Sequence, residues 1–440
     1  MAPLCPAGGG VTRGRTVGPA ARLDPEPPLA HKPHVSETIR KPWLVALLLA
    51  VAAEAIFLVR LSVPHMPVFD EVHYLPAARA MLALSGPANV EHPPLGKELI
   101  AIGIALFGDT PFAWRFMSTL AGSATVAGVF ALAHLLTGRM RAGLVAAACA
   151  LLGFTVYVQA RIAMLDTFMV AFLTWAIVVL GWSMRRRGRS AWIAGAVLLG
   201  LATACKWAAA PYVAFAAAAF VHLKREDARR WSDLRIVPAL ALLGGVSVLT
   251  YFATFLPAFF YAQDAVTLKS LLPLQWDMYL RQRQVLPHHT YQSPWWTWPL
   301  LLRPIWYLYE PADGAQRGIL LIGNPVVMYG GLAAVAALYH GWVKTGAARL
   351  LAPALLFTLA VAQFAVIPKS LGFYYYFYPA SVFLCVAIAV AFDRWRARPW
   401  DEAFLLAAFA LTLYFLPVLS GQALTDAGAF RRWTWFPGWV

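Results

Sequence analysis

The chain has 440 residues, of which 60% are hydrophobic and only 13% charged. A soluble domain carries about 25% charged residues, so this composition excludes a soluble globular protein. The formal net charge of +15 sits in short segments between apolar runs. That pattern fits the positive-inside bias of membrane loops better than a nucleic-acid-binding face.

The first forty residues are rich in Pro, Gly and Ala with scattered Arg. Such a composition buries no core, and residues 1–41 are expected to form a disordered cytoplasmic tail. The first apolar run, Trp43–Val59, lacks a small-residue cleavage site after it and reads as a retained first span. Further apolar runs, each long enough to cross about 30 Å of hydrocarbon, fall near 112–137, 142–160, 166–184, 190–205, 207–223, 236–258, 317–340, 350–368, 373–392 and 401–419. The segment Glu98–Phe107 is apolar but too short to cross and reads as a helix lying along the interface. With eleven spans and a cytoplasmic N-terminus, the inner loops carry roughly twice the Lys and Arg of the outer ones. Counting 98–107 as a span would mostly reverse that bias. The expectation is an all-α polytopic membrane protein of about eleven transmembrane helices, its first loop (62–111) and C-terminus outside and that loop carrying juxtamembrane helices. Residues 42–258 form an N-terminal membrane region with spans one to seven. Residues 259–440 form a four-span C-terminal region with an aromatic outer loop at 259–316. Cys5, Cys149, Cys205 and Cys385 have neither metal-ligand spacing nor a disulfide framework.

Ionisable groups concentrate in the first outer loop, at Phe69-Asp70-Glu71-Val72-His73-Tyr74 and Glu91-His92-Pro93-Pro94-Leu95-Gly96-Lys97. Neighbouring residues do not share a helix face. One carboxylate of the Asp70-Glu71 pair is therefore free to point into a cavity while the other braces the loop or holds a basic partner. Three cations sit near outer span ends: Arg115, Arg161 and Lys206. Each alone is explained by snorkelling to headgroups, but their recurrence on the side of Asp70 points to a shared anionic ligand. Asp166 is an alternative partner for Arg161. Glu54 lies inside the first span, paired or protonated, without an assigned role. The outer segment His288-His289-Thr290-Tyr291-Gln292-Ser293-Pro294-Trp295-Trp296-Thr297-Trp298-Pro299 reads either as an interfacial aromatic belt or as a wall facing sugar or lipid. No Gly-rich phosphate loop is present, and no outer loop holds an Asp-x-Asp pair to grip a metal–diphosphate. A lipid carrying a phosphate-linked group is then the more plausible donor.

Taken together, these motifs resemble the protein O-mannosyltransferases, which use polyprenyl- or dolichyl-phosphate mannose. The resemblance rests on Asp70-Glu71-Val72-His73-Tyr74, His92–Lys97, Arg115 opening the second span, Arg161–Asp166, and Gly200–Trp207 with Cys205-Lys206-Trp207. It continues through His289-x-Tyr291-x-Ser293-x-Trp295, Trp298-Pro299, Arg303-Pro304 and Gly323-Asn324-Pro325. The β-trefoil insert of fungal and animal members is missing from the second long outer loop, as in bacterial members. The aromatic run Phe373–Pro379 lacks the histidine expected from eukaryotic relatives.

The resemblance implies a GT-C glycosyltransferase fold and inverting transfer of mannose from polyprenyl-phosphate mannose to Ser or Thr hydroxyls of proteins, on the outer face of the plasma (inner) membrane. Acceptors would be secreted or membrane proteins, taken as they emerge from the secretion channel. It implies Asp70 and Glu71 as catalytic residues, Arg115, Lys206 and Arg161 around the donor phosphate, and His92, His289, Tyr291, Trp295 and Asn324 near sugar or acceptor. It calls for no metal and no cofactor beyond the lipid-linked donor. The competing readings are a GT-C transferase moving aminoarabinose or another lipid-linked sugar to a lipid or glycan, and a transporter of lipid-linked sugars. The latter is disfavoured by the lack of an internal repeat.

Overall fold

The computed structural model describes residues 41–184, 186, 188–367, 371–396 and 399–440. The tail expected to be disordered lies, but for Lys41, outside the described residues. The chain forms a helical bundle: α1 (Pro42–Leu58), α2 (Glu71–Leu82), α3 (Leu95–Phe107), α4 (Pro111–Thr137), α5 (Met140–Leu152), α6 (Thr155–Ala160), α7 (Leu165–Ser183), α8 (Ser190–Cys205), α9 (Pro211–Glu226), α10 (Ile236–Ala253), α11 (Leu271–Gln282), α12 (Pro325–Thr345), α13 (Ala348–Val366), α14 (Tyr378–Trp395) and α15 (Trp400–Leu419). Among the described residues, seven helical segments are long and apolar enough to cross a membrane, and α1, α5 and α8 are shorter apolar helices.

Local chemistry sets the helix ends. Thr110 caps α4 by accepting from the Ala113 N–H (3.3 Å), Pro111 opens it, and Gly138 closes it at φ +70°. Here proline spares an N–H that has no partner, and glycine adopts a left-handed φ at no steric cost. The run expected as one span over 142–160 is broken. Phe154 sits at φ +69° between α5 and α6, and the chain turns through Arg161–Met164 into α7. Gly122 of α4 lies against Ala160 and Phe57, where any Cβ would collide; this close approach brings α1, α4 and α6 together. Glu54 is no orphan: its oxygens accept from Thr119 Oγ1 (2.7 Å) and Ser123 Oγ (2.8 Å), bonding α1 to α4.

The span expected at 317–340 starts too early. Residues 315–321 are a strand, and the helix begins only at Pro325. Strands β1 (Ile305–Ala312) and β2 (Ala315–Leu321) pair antiparallel, and the short β3 (Ala423–Leu424) joins the edge of β2. The turn is the dipeptide Asp313-Gly314, both residues at positive φ (+50° and +72°), as a two-residue hairpin with matching twist requires. The hairpin tip meets the first loop, where the His65 N–H donates to the Asp313 carboxylate at 3.2 Å. Strand β1 faces the core with Ile305, Trp306, Tyr307 and Leu308.

Candidate active site

Asp70 immediately precedes α2. Phe69, before it, is held at φ +51°, a conformation uncommon for a bulky residue, with its ring stacked on Tyr307 at 4.6 Å. The Asp70 carbonyl accepts the His73 and Tyr74 N–H groups, both at 3.0 Å. Its side chain makes no cap hydrogen bond, so the carboxylate is not used up by the helix end. Oδ2 instead accepts from the Tyr74 hydroxyl at 3.2 Å. Burial pushes the Asp70 carboxyl up from 3.8 to about 6. The nearby Lys206 charge pulls it down, and Asp166 pushes it up. Burial also holds the Tyr74 hydroxyl well above its usual range, with Asp70 adding to the shift, so Tyr74 stays a neutral donor.

Glu71 points the other way. It is 0% exposed, and its carboxylate accepts from Arg115 Nε and Nη2 (both 2.9 Å), the Val68 N–H (2.8 Å) and the Ala163 N–H (2.8 Å). Arg115 spends its remaining donors on the carbonyls of Leu61, Pro64 and Met66. A guanidinium has five N–H groups, and all five are taken. Two expectations are thereby corrected. Glu71 has no free direction in which to meet a reacting hydroxyl, and Arg115 has no donor left for a phosphate. Together they brace the loop that carries Asp70, across 44 positions of sequence.

Arg161 is likewise engaged elsewhere. Its Nη1 donates to the carbonyls of Phe57 and Val59 (both 2.6 Å), and Nη2 reaches that of Arg60 (3.3 Å). These carbonyls lie at the end of α1, where helical partners run out. Its guanidinium lies 5.1 Å from the Tyr157 ring. Arg161 caps a helix instead of presenting its charge beside Asp70, and it does not take Asp166 as a partner.

Asp166 pairs with Lys206. The Nζ–Oδ2 distance is 2.6 Å with both groups buried, and the ammonium lies 4.6 Å and 4.9 Å from the ring centres of Tyr375 and Tyr376. The second oxygen, Asp166 Oδ1, is buried without a hydrogen-bond partner among the described residues, as is Gln159 Nε2. Gln159 Oε1 accepts from the Tyr307 hydroxyl at 3.1 Å. Asp70, Tyr74, Asp166 and Lys206 thus share one electrostatic neighbourhood with Tyr307 and Tyr375. Tyr74 was named only as part of the Asp70–Tyr74 motif, and Gln159, Tyr307, Tyr375 and Tyr376 escaped the sequence reading. Only the aromatic density of the Phe373–Pro379 run offered a signal.

His92 borders this neighbourhood, its ring edge-on to Tyr74 at 6.1 Å. The turn carrying it is pinned by buried Lys97, whose Nζ donates to the carbonyls of Asn89 (2.6 Å) and His92 (2.9 Å). Burial pushes the Lys97 amine down to about 7. Trp295 lines a cleft of about 300 Å³ with His288, Gln292, Ser293, Trp298 and Tyr376; Tyr376 is the ring the cleft shares with Lys206. His289 and Tyr291 shape this region: His289 Nδ1 accepts the Tyr291 N–H at 3.1 Å, and the His289 ring packs edge-on against Phe373 at 5.1 Å. Asn324 lies apart from both. It caps α12 by accepting from the Val326 N–H (3.0 Å), and its amide donates to the carbonyls of Leu152 (2.8 Å) and Ala408 (2.9 Å). At 0% exposure it knits helices together, so its expected place near sugar or acceptor is corrected.

The arrangement supplies a carboxylate basic near neutral pH beside a buried ammonium held in an aromatic frame. Such a pair can take a proton from one group while stabilising negative charge developing on another.

Residues 91–257 match the family model of dolichyl-phosphate-mannose-protein mannosyltransferases, and residues 267–349 match the model of the C-terminal four-helix membrane region of protein O-mannosyltransferases. The chain is 30% identical over 370 residues to a polyprenol-phosphate-mannose–protein mannosyltransferase of Mycobacterium tuberculosis, covering 68% of this chain and 70% of that one. Its fold is similar to that of the Saccharomyces cerevisiae protein O-mannosyltransferase Pmt1-Pmt2 complex bound to the sugar donor, with TM-score 0.79 at 14% identity over 92% of this chain and 94% of that one. It is also similar to ArnT from Cupriavidus metallidurans bound to undecaprenyl phosphate, with TM-score 0.59 at 17% identity over 87% and 65% of the two chains.

Proposed function

This chain belongs to the protein O-mannosyltransferase family, and we propose on that premise that it moves mannose from polyprenyl-phosphate mannose to Ser and Thr hydroxyls of proteins, with Asp70 as base. It is a multi-pass membrane glycosyltransferase of GT-C fold. The observation that carries the assignment of roles is the meeting of Asp70 and the Lys206–Asp166 pair in one neighbourhood.

A neutral hydroxyl is a poor nucleophile. As its oxygen closes on C1 of the mannose, the proton passes to Asp70. The bond from C1 to the phosphate oxygen breaks, and the electron pair leaves with polyprenyl phosphate. The sugar passes through oxocarbenium character, and charge grows on the departing phosphate. Lys206 is the cation that meets it, in a setting where water is scarce and charge stabilisation is strongest. Attack opposite the leaving group inverts the anomeric centre, giving an α-mannosyl product from a β-linked donor. Asp166 Oδ1 and Gln159 Nε2 are free to bind sugar hydroxyls. His92 borders the sugar, while the cleft at Trp295 and Tyr376, shaped by His289 and Tyr291, receives the acceptor chain. The reaction face is the outer one, of the plasma membrane, with the N-terminus cytoplasmic. The acceptors are secreted or membrane proteins.

A test separates this from transfer to a lipid or glycan. Membranes containing the protein are incubated with labelled polyprenyl-phosphate mannose, and label is followed into protein and lipid fractions. Label in protein, released by β-elimination from Ser and Thr, supports the proposal; label confined to lipid or glycan overturns it.

A further inference from the structure

Helix α11 has three faces. One is packed: Leu271, Leu274 and Met278 close on Tyr251, Phe255 and Ala204, while Gln275 Oε1 accepts from the Tyr251 hydroxyl at 2.5 Å. The second is apolar and exposed. Leu272 (67%) and Trp276 (60%), with Tyr279 and Leu280, fall on one arc at helical spacing. The third is polar and exposed, with Asp277 and Arg281. Exposed Lys269 and Arg283 flank the helix, and Arg283 donates to the Tyr279 hydroxyl at 3.1 Å.

Continuity says what covers the apolar arc. Helix α10 is among those able to cross a membrane, and its Val248 and Leu249 are exposed apolar groups that meet lipid. Along the chain, exposed apolar residues continue after it at Leu256, Phe260, Leu268 and Leu272, and α11 packs on the end of this segment through Tyr251 and Phe255. A helix with an apolar arc, a charged arc and basic flanks suits the boundary of headgroups and acyl chains, where cations meet anionic phosphates. We infer that α11 lies in the interfacial layer of the leaflet on the Asp70 side, with Leu272, Trp276, Tyr279 and Leu280 among phospholipid acyl chains and Lys269, Arg281 and Arg283 at anionic headgroups.

This seat is wired to the site. Gln282 Nε2 donates to the carbonyl of Glu91 (2.7 Å), the residue before His92. The Tyr251 hydroxyl bonded to Gln275 also accepts from the indole of Trp207 (2.9 Å), the residue after Lys206. The inference needs only that the chain spans a membrane, and it stands whatever sugar is transferred.

The test places a nitroxide at Leu272→Cys and, separately, at Asp277→Cys in the full-length protein. Each is reconstituted in nanodiscs of phosphatidylcholine with phosphatidylglycerol. Collision with oxygen, which partitions into lipid, is compared with collision with an aqueous nickel chelate. The oxygen-to-nickel ratio is expected to be severalfold higher at Leu272 than at Asp277, with Leu280→Cys following Leu272. Equal access of nickel to both positions puts the arc in water, and exclusion of both reagents from Leu272 puts another protein copy over it. Either result overturns the inference.

Discussion

Replacing Asp70 by Asn removes one negative charge and one proton acceptor while keeping the shape of the side chain. A positioned general base contributes about 10²–10⁴-fold, or about 3–5 kcal/mol at 1.36 kcal/mol per tenfold. Mannosyl transfer by Asp70→Asn is expected to fall by that factor. The fold is expected to tolerate the change, since among the described residues the carboxylate carries no cap and makes a single hydrogen bond, to Tyr74. Its pKa adds a sign. The folded-state value, about 6, lies above the ordinary 3.8, so folding favours the protonated form, and ionised Asp70 at neutral pH subtracts from stability. The thermal midpoint of Asp70→Asn at pH 7.5 is therefore expected to equal or exceed that of the parent. The same value predicts that kcat/KM of the parent is half-maximal near pH 6 and levels near pH 7, where about nine tenths of the base is ionised. An ordinary carboxylate would level near pH 5. The assay is transfer of labelled mannose to an acceptor peptide across pH 4.5–8, with thermal unfolding in the same detergent. Near-parental turnover in Asp70→Asn refutes the assignment of the base.

The remaining predictions separate bracing groups from reacting ones. Glu71→Gln leaves the buried Arg115 charge uncompensated and should cost about 3–5 kcal/mol of stability, read as a lowered unfolding midpoint; an unchanged midpoint contradicts the bracing role. Lys206→Met should weaken inhibition by free polyprenyl phosphate by more than about tenfold, the scale of one charge-assisted contact, and equal inhibition removes Lys206 from the phosphate. Asn324→Ala should lower stability by about 1 kcal/mol or more through the lost cap without moving KM for donor or acceptor. Trp295→Ala should raise KM for the acceptor peptide and leave that for the donor; the opposite split would assign the cleft to the lipid-linked sugar.

What the sequence disclosed and what it hid follow from range. Apolar runs are local, and they located helix α4 (Pro111–Thr137), while the run read at 317–340 overran the true start of α12 at Pro325 because the local end signal Asn324-Pro325 was not used. The Asp70-Glu71 pair stood out because charge is scarce in this chain, and the divergence of neighbouring side chains was foreseeable. Which carboxylate would brace was not, since Arg115 reaches Glu71 only through the packing of α4 against the first loop. The same limit explains Asp166, whose partner is Lys206 just past the end of α8 and not Arg161, five residues away. Spacing cannot rank such partners. The β1–β2 hairpin was missed although Asp313-Gly314 is a strong turn signal. The apolar residues Ile319–Ile322 run on into those after Pro325, and hydropathy alone merges strand and helix. Asn324 shows the opposite error: a polar residue in a family motif was read as a ligand group when the backbone of three helices needed it.

The central claim, that Lys206 and Asp70 flank the bond that breaks, is tested most directly by a structure with a phosphonate analogue of polyprenyl-phosphate mannose. The expected result places the phosphonate oxygens within hydrogen-bond distance of Lys206 Nζ, C1 of the mannose facing Asp70, and the Glu71–Arg115 pair intact. A phosphonate held by Arg115 with Glu71 displaced, or bound away from Lys206, would contradict it.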